Sequence, residues 1–505
     1  MSNEAITAYL SRTKPEQIDA GLLGYIASLT KMKAVAPETA KGVVHELADQ
    51  RSRLKLIASE NYCSLASQLA MGNLLTDKYA EGIAHARFYE GCENVDAVEA
   101  YACEQACKLF GAEHAYVQPH SGADANMIAY WAILTKMVEA PALEELGAKS
   151  AAKMSQEDWN TVRGRLGNQR LLGMDYYSGG HLTHGYRYNL SAKMFEAYQY
   201  AVNKETGLLD YDEIERMATD LKPLILLAGY SAYPRAINFR RMREIADKVG
   251  AVFMVDMAHF AGLVAGKVFT GDADPVAHAH VVTSTTHKTL RGPRGGIVLC
   301  KKEFAEYVDK GCPLVIGGPL PHVMAAKAVT FTEDNQPEFK DYARKVVENA
   351  RTLAQAFMDQ GLTIATGGTD NHLMLIDVAT SCGLTGRHAA GALYECGVTL
   401  NFNSLPFDPN GPLITSGLRV GTPAVTTLGM GAAEMQEIAG IIKLVLEGTK
   451  PKVLESGKNA GKPSKRQYTL NATVADQARA RVKALLDRFP VYPELDLGFL
   501  LEHFG

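Results

Sequence analysis

The sequence predicts an α/β fold carried on a mostly parallel sheet, and three observations point to it. Short apolar, β-branched runs (AEHAYVQ, LILLAGYSA, AVFMVDMA, AHVVTSTT and GIVLC) alternate with helical stretches between about residues 95 and 330. That alternation places helices against the faces of a parallel sheet. One connecting helix is legible in full: FRRMREIADKVG puts Met242, Ile245, Ala246 and Val249 on one face and stops at Gly250. After residue 334 the pattern changes to long helical stretches such as EFKDYARKVVENARTLAQAFMDQG with fewer strands, which predicts a second, smaller α/β unit.

Residues 1 to about 55 precede the sheet and read as amphipathic helices, for example VVHELADQRSRLKLI, with apolar positions at intervals of three and four. Such a segment needs a surface to lie against. Within the α/β region, residues 139–165 (EAPALEELGAKSAAKMSQEDWNTVRGR) form a charged, alanine-rich excursion expected to be helical and superficial. The second excursion, ESGKNAGKPSKRQ at 455–467, is rich in Gly, Ser and Lys and reads as a mobile, solvated loop.

Composition narrows the chemistry. The 505 residues are 47% hydrophobic and 21% charged, the balance of a globular chain rather than a disordered, collagenous or membrane one. The 52 Lys+Arg against 56 Asp+Glu leave a net charge of −4, so no excess of positive charge favours phosphate backbones. Nucleic acid is therefore not an expected partner. The 8 cysteines include no C-x-x-C, which argues against a zinc site or a disulfide framework and for a reducing compartment. With neither a secretory leader pattern nor an apolar run of about 18 residues, the expectation is a cytoplasmic protein without a membrane partner.

Phosphate and metal signatures are equally restrictive. No G-x-x-x-x-G-K-[ST] occurs, and the near misses GLVAGK and GKNAGK have the wrong spacing. The pairs His181/His184 and His278/His280 lack a carboxylate or cysteine set at a familiar ligand spacing, so no metal is expected.

Asp256 and Lys288 carry more information, because each stands where an apolar strand runs out, in AVFMVD and HVVTSTTHK. Reaction sites of open parallel sheets gather beyond the carboxyl ends of the strands. A lysine there is partly desolvated, which lowers its pKa and frees the neutral amine for attack on carbonyls, as in Schiff-base formation. An acid one unit earlier suits a pyridine-containing cofactor, since a carboxylate beside the ring nitrogen keeps it protonated and the ring an electron sink. The turn PHSGADAN (119–126), between a strand and a helix, offers free N–H groups and a helix dipole to a phosphate. Together the three features describe a pyridoxal phosphate site.

The motif VVTSTTHKTLRGPRGG resembles the cofactor-lysine signature of the serine hydroxymethyltransferase family. The resemblance extends through LIASENYCS (56–64), DKYAEG (77–82), RFYEGCENVD (87–96), QPHSGADAN (118–126), GGHLTHG (179–185), GYSAYPR (229–235), DMAHFAGLVAG (256–266), GGPLPHVMAAKA (317–328), TDNHL (369–373) and SGLRVGTPA (416–424), in the family's order. It implies pyridoxal-phosphate fold type I: a large domain with a mostly parallel seven-stranded sheet sandwiched by helices, and a smaller C-terminal α/β domain. The implied division is an N-terminal helical, dimer-contacting arm at 1–75, a cofactor-binding domain at 76–333 and the small domain at 334–505.

Carried over by position, the resemblance makes Lys288 the covalent holder of pyridoxal 5'-phosphate, Asp256 the partner of its ring nitrogen and His181 the ring that stacks on it. Ser231 and His259 are implied near the phenolic oxygen, and Thr285 and His287, flanking the lysine, among the catalytic and cofactor-contacting positions. Ser121, Gly122 and Ala123 match the phosphate turn, with Gly317 and Gly318 reaching the phosphate of the other subunit. Arg419 matches the arginine that grips the substrate carboxylate, a task its planar fork suits better than lysine would. Ser59 matches a substrate-hydroxyl contact, and Glu81 a carboxylate that moves a proton near serine and folate. Tyr79 and Tyr89 match tyrosines lining the same pocket, and Asn403 a contact to the pteridine of the folate.

The activity implied is reversible conversion of L-serine and tetrahydrofolate into glycine and 5,10-methylenetetrahydrofolate by an obligate homodimer with shared active sites, the choice between dimer and tetramer being open. A folate-independent threonine aldolase or amino-acid racemase would share Lys288, Asp256 and the turn, but need not have Glu81 or Asn403 in these settings. A catalytically dead relative would be expected to lack the lysine or the acid, and both are present. Ala123 departs from the family's usual second serine in the turn, which removes a hydrogen bond worth about 1.5–3 kcal/mol and predicts looser cofactor retention. Ser178 and Ser284 are milder departures.

Overall fold

A computed structural model describes residues 3–457 and 460–505. The five predicted apolar runs, with two strands the sequence reading did not single out (β2 and β3), form a seven-stranded sheet of β1 (His114–Tyr116), β2 (Arg170–Met174), β3 (Glu196–Tyr200), β4 (Ile225–Gly229), β5 (Val252–Asp256), β6 (Val281–Thr285) and β7 (Gly296–Cys300). Their spatial order is β1-β7-β6-β5-β4-β2-β3. Neighbours from β6 through to β3 run parallel, whereas β7 is antiparallel to both β6 and β1. Strands β4 to β7 are buried along their full length, as unbroken apolar runs covered on both faces must be. The helix Phe239–Val249 behaves as its periodicity predicts: Asn238 caps it, Phe239, Met242, Ile245 and Ala246 are buried, and Gly250 ends it at φ 72°. Val249, the last residue of the helix, is only partly buried.

The second unit carries a four-stranded antiparallel sheet of β8 (Thr363–Ile364), β9 (Leu373–Asp377), β10 (Asn401–Asn403) and β11 (Gly417–Gly421), in the order β8-β9-β11-β10. Helices Pro337–Asp359 and Ala432–Glu447 pack over it in a core of their own, built from Leu353, Phe357, Ile438, Ile442 and their neighbours.

Three features were not legible beforehand. The N-terminal helices Ala20–Val35 and Pro37–Ser52 bury Ile26, Leu29 and Val44 against Phe499, Leu500 and Phe504 of this chain's own last helix. Leu54–Lys55, inside the expected arm, pairs in parallel with Val398–Thr399 and so joins the C-terminal unit. The expectation of a mobile loop over 455–467 needs correction, since Pro463–Leu470 pairs with Thr449–Val453 as a hairpin. Backbone pairing with Thr449–Val453 lets a Lys- and Ser-rich stretch form a largely exposed strand, in which Ser464 is buried. Residues 458 and 459 of that excursion lie outside the described residues. The other excursion is helical, over Ala140–Glu145 and Gln156–Leu166.

Candidate active site

The carboxyl ends of the parallel strands open onto a cavity of about 560 Å3. Strand β5 ends in Asp256, β6 runs through Thr285 to His287 and Lys288, and β4 leads to Ser231. These residues line the cavity together with Ser59, Ser121, Gly122, Ala123, His181, His259 and Arg419.

Asp256 is buried without a cation against it. Its Oδ1 accepts from the Ala258 N–H at 3.0 Å, and its Oδ2 accepts from Asn126 Nδ2 at 2.9 Å and His184 Nε2 at 3.1 Å. Burial alone would raise this carboxyl, but the His184 hydrogen bond and nearby imidazoles outweigh it and hold the group well below the usual carboxylate range. The arrangement continues outward, with Asn126 Nδ2 also donating to Thr183 Oγ1 at 2.7 Å and its Oδ1 accepting from Thr283 Oγ1 at 2.5 Å. Tertiary folding thus supplies the carboxylate that His181 and His184 lack in sequence. The donors are already engaged, because His184 Nδ1 accepts from the His181 backbone N–H at 3.3 Å, which leaves its Nε2–H for Asp256. His278 and His280 are spent on the backbone, at Gly271 O and the Phe253 N–H.

Lys288 is partly buried, and burial is the main force lowering its amine to about 8, with Arg419 and Arg294 adding and Asp256 opposing. His181 accepts the Thr183 N–H at Nδ1 at 3.2 Å, and burial pushes its imidazole down to about 4, so it is a neutral ring with Nε2 directed elsewhere. His259 is buried beside His372, with ring centroids 5.5 Å apart and Nδ1 3.2 Å from His372 Nε2. Burial likewise lowers His287 to about 3, and its buried Nδ1 has no hydrogen-bond partner. Arg419, on β11, donates to Ser231 O at 2.6 Å and Asn401 Oδ1 at 3.1 Å. Burial lowers it only to about 10, so the guanidinium stays charged.

The turn at Ser121 caps the helix Gly122–Leu134 by accepting the Asp124 N–H at 3.1 Å. The first N–H groups of a helix have no intrahelical acceptor, so those of Gly122 and Ala123 face the cavity as an anion site. Gly122 is required there, because a Cβ would stand 2.7 Å from Thr285 Cγ2. An unneutralised buried carboxylate, an amine poised near neutrality and a helix N-terminus on one cavity fit pyridoxal phosphate: the acid suits a protonated ring nitrogen, the amine an aldehyde, the turn a phosphate.

Six of the residues singled out in the sequence do not line this cavity: Glu81, Tyr79, Tyr89, Gly317, Gly318 and Asn403. The two tyrosines meet edge-on at 5.3 Å and are 57% and 48% exposed, with Tyr79 Oη 3.4 Å from Glu81 Oε1. Tyr79 also borders Gly318, whose carbonyl lies 3.2 Å from His120 Nε2. Within one chain, therefore, Tyr79 and Tyr89 do not share the pocket of Lys288. Arg87 fixes the Glu81 loop in this place, donating to the carbonyls of Ala80 and Gly82 at 3.0 and 2.9 Å while bound to Asp96 and Glu99. Asn403 turns its amide onto Ser404 O at 2.7 Å.

Sequence reasoning assigned no role to Asn126, His184 or Asn61. Asn61 Nδ2 donates to Lys288 O at 2.9 Å and Tyr342 Oη at 2.7 Å, while its Oδ1 accepts from Thr427 Oγ1 at 2.7 Å, clamping the lysine's backbone to the second unit. The available signal was an amide in an otherwise apolar helical run, as at Asn126; nothing local marks Asn61.

Comparison with known proteins identifies relatives of the chain. The serine hydroxymethyltransferase family model matches residues 32–147 and 146–442. A serine hydroxymethyltransferase of Treponema pallidum is 60% identical over 504 residues, covering 100% of this chain and 87% of the relative. That of Salinispora tropica is 58% identical over 475 residues (94% and 98% covered), and that of Mycolicibacterium smegmatis 56% over 479 (95% and 96%).

Proposed function

The chain belongs to the serine hydroxymethyltransferase family, and on that premise we propose which of its residues perform the reaction. It is a pyridoxal-phosphate-dependent enzyme that interconverts L-serine plus tetrahydrofolate with glycine plus 5,10-methylenetetrahydrofolate. When bound, pyridoxal phosphate supplies a sink for the electrons released at the substrate's α-carbon. The observation that carries the assignment is the convergence of Asp256, Lys288 and the Ser121 turn on one cavity.

Lys288 would hold the cofactor covalently through its amine, Asp256 would keep the ring nitrogen protonated, and His181 would pack against the ring. Ser121 and the N–H groups of Gly122 and Ala123 hold the phosphate, Ser231 and His259 lie by the phenolic oxygen, and Thr285 and His287 complete the wall. Arg419 would bind the substrate carboxylate through two parallel hydrogen bonds, fixing the orientation of the amino acid. Ser59 contacts the substrate hydroxyl.

Glu81, Tyr79, Tyr89, Gly317 and Gly318 are assigned to the active site of a second copy of the chain, with Glu81 moving the proton of the serine hydroxyl and Asn403 contacting the pteridine. Supporting this, Leu74, Phe88 and Leu314, near these residues in sequence, are exposed at 87%, 69% and 61%. The protein is accordingly read as an obligate homodimer. Residues 76–333 are assigned to cofactor binding, and 334–505 to a smaller unit that brings Arg419, with 1–75 as the helical arm. All 8 cysteines are free, and among the described residues no helix is long and apolar enough to cross a membrane, which supports a cytoplasmic location.

The test is serine cleavage with and without tetrahydrofolate and added pyridoxal phosphate. Acceleration by both is expected. Cleavage indifferent to folate would favour the aldolase or racemase reading of the same cavity.

A further inference from the structure

Lys327, on the helix Pro321–Asp334, is 1% exposed, and among the described residues no carboxylate pairs with it. Its Nζ donates to three backbone carbonyls, Val117 O at 2.5 Å, Gly296 O at 2.8 Å and Pro119 O at 2.9 Å. Three acceptors require three N–H bonds, and only the ammonium form has them. Burial works against that form and lowers the amine to about 7, with the charges of Glu99 and Asp124 opposing the fall. A buried cation is a costly way to join three segments, and well-packed hydrophobic residues often serve stability as well or better. The lysine's purpose is therefore to be sought in what it joins.

Those segments are the exit of β1, the turn that leads to Ser121, and the first residue of β7. Gly296 also donates its N–H to Pro119 O at 2.9 Å, and a Cβ on it would stand 2.2 Å from Ser121 O, so turn and strand are in backbone contact. The ammonium holds both sides of that contact and does not itself line the cavity. We propose that Lys327 is the positioning residue of the phosphate turn: it fixes Pro119 to Ser121 in the anion-binding conformation and places a positive charge next to that turn. The inference rests on reading Ser121 to Ala123 as the phosphate anchor.

Two substitutions in the full-length enzyme test it. Lys327→Met keeps the volume and removes the charge. Gly295→Ala leaves the lysine in place but crowds it, because the new methyl would stand 2.5 Å from Lys327 Cε, and it serves if the first variant does not fold. Apoenzyme is titrated with pyridoxal phosphate by its visible absorbance, the phosphorus NMR signal of the bound phosphate is recorded, and apoenzyme melting is measured alongside. Expected are a dissociation constant raised roughly tenfold or more, as for a lost charge-assisted interaction, a displaced phosphorus resonance, and unchanged serine KM at saturating cofactor. Ser121→Ala is the control. If it weakens cofactor binding while Lys327→Met and Gly295→Ala change only melting, the role given to Lys327 is overturned and the turn assignment stands. If none of the three alters affinity or the resonance, the turn assignment and the inference fall together.

Discussion

His184 donates Nε2–H to Asp256 Oδ2 at 3.1 Å because its other nitrogen already accepts the His181 backbone N–H at 3.3 Å. The Asp256 carboxylate is thereby held by the protein itself, through the His184 ring, the Asn126 amide and the Ala258 N–H. A cationic partner in the same place would consume the charge that the cofactor ring requires.

Removing that charge is therefore predicted to be far more damaging than removing its support. Asp256→Asn should cost about a thousandfold in kcat, at the upper end for loss of one preorganised electrostatic group, whereas His184→Ala should cost less and narrow the pH range toward acid. Steady-state rates of both variants across pH provide the comparison, and equal losses would contradict the arrangement.

The capture of pyridoxal phosphate by apoenzyme should follow the neutral fraction of Lys288. Its amine is lowered to about 8, so the ammonium dominates below that pH and the free amine above it. The capture rate is expected to rise with pH through about 8 and then level, read by stopped-flow absorbance. Lys288→Ala should stay folded by circular dichroism, yet yield no labelled peptide after borohydride reduction of the loaded protein.

Arg419→Lys replaces a planar fork with a point donor. Losing one charge-assisted hydrogen bond of about 1.5–3 kcal/mol predicts a serine KM raised roughly tenfold to a hundredfold. Serine saturation curves decide it, and an unchanged KM would remove Arg419 from the carboxylate site.

Ala123→Ser should tighten cofactor binding. The residue lines the cavity at the first turn of its helix, and a hydroxyl added there gains up to about 1.5–3 kcal/mol if it reaches the phosphate. Cofactor release into a competing trap measures the change, which should be slower than in the parent protein.

Much of the site was legible because its signals are local. A strand announces itself by a run of apolar residues, so the positions of Asp256 and Lys288 at strand exits could be read directly, as could the helix start after Ser121. The N-terminal helices were recognised by period but not by partner, since an amphipathic face does not say which surface covers it; here it is the last helix of the same chain. The hairpin ending in Leu470 was missed because composition favoured a loop, and strand pairing with Thr449–Val453 overrode it.

What the sequence determined by itself was most of the sheet strands, the acid and the lysine at two strand ends and the membership of the family, all carried by neighbours along the chain. Only the tertiary structure decided that Asn126 and His184 hold Asp256, that Asn61 clamps Lys288 to the second unit, and that Arg87 fixes the Glu81 loop in its place. Those relations depend on hydrogen-bond geometry between residues remote in sequence, and directional contacts of that kind leave no periodicity or spacing behind.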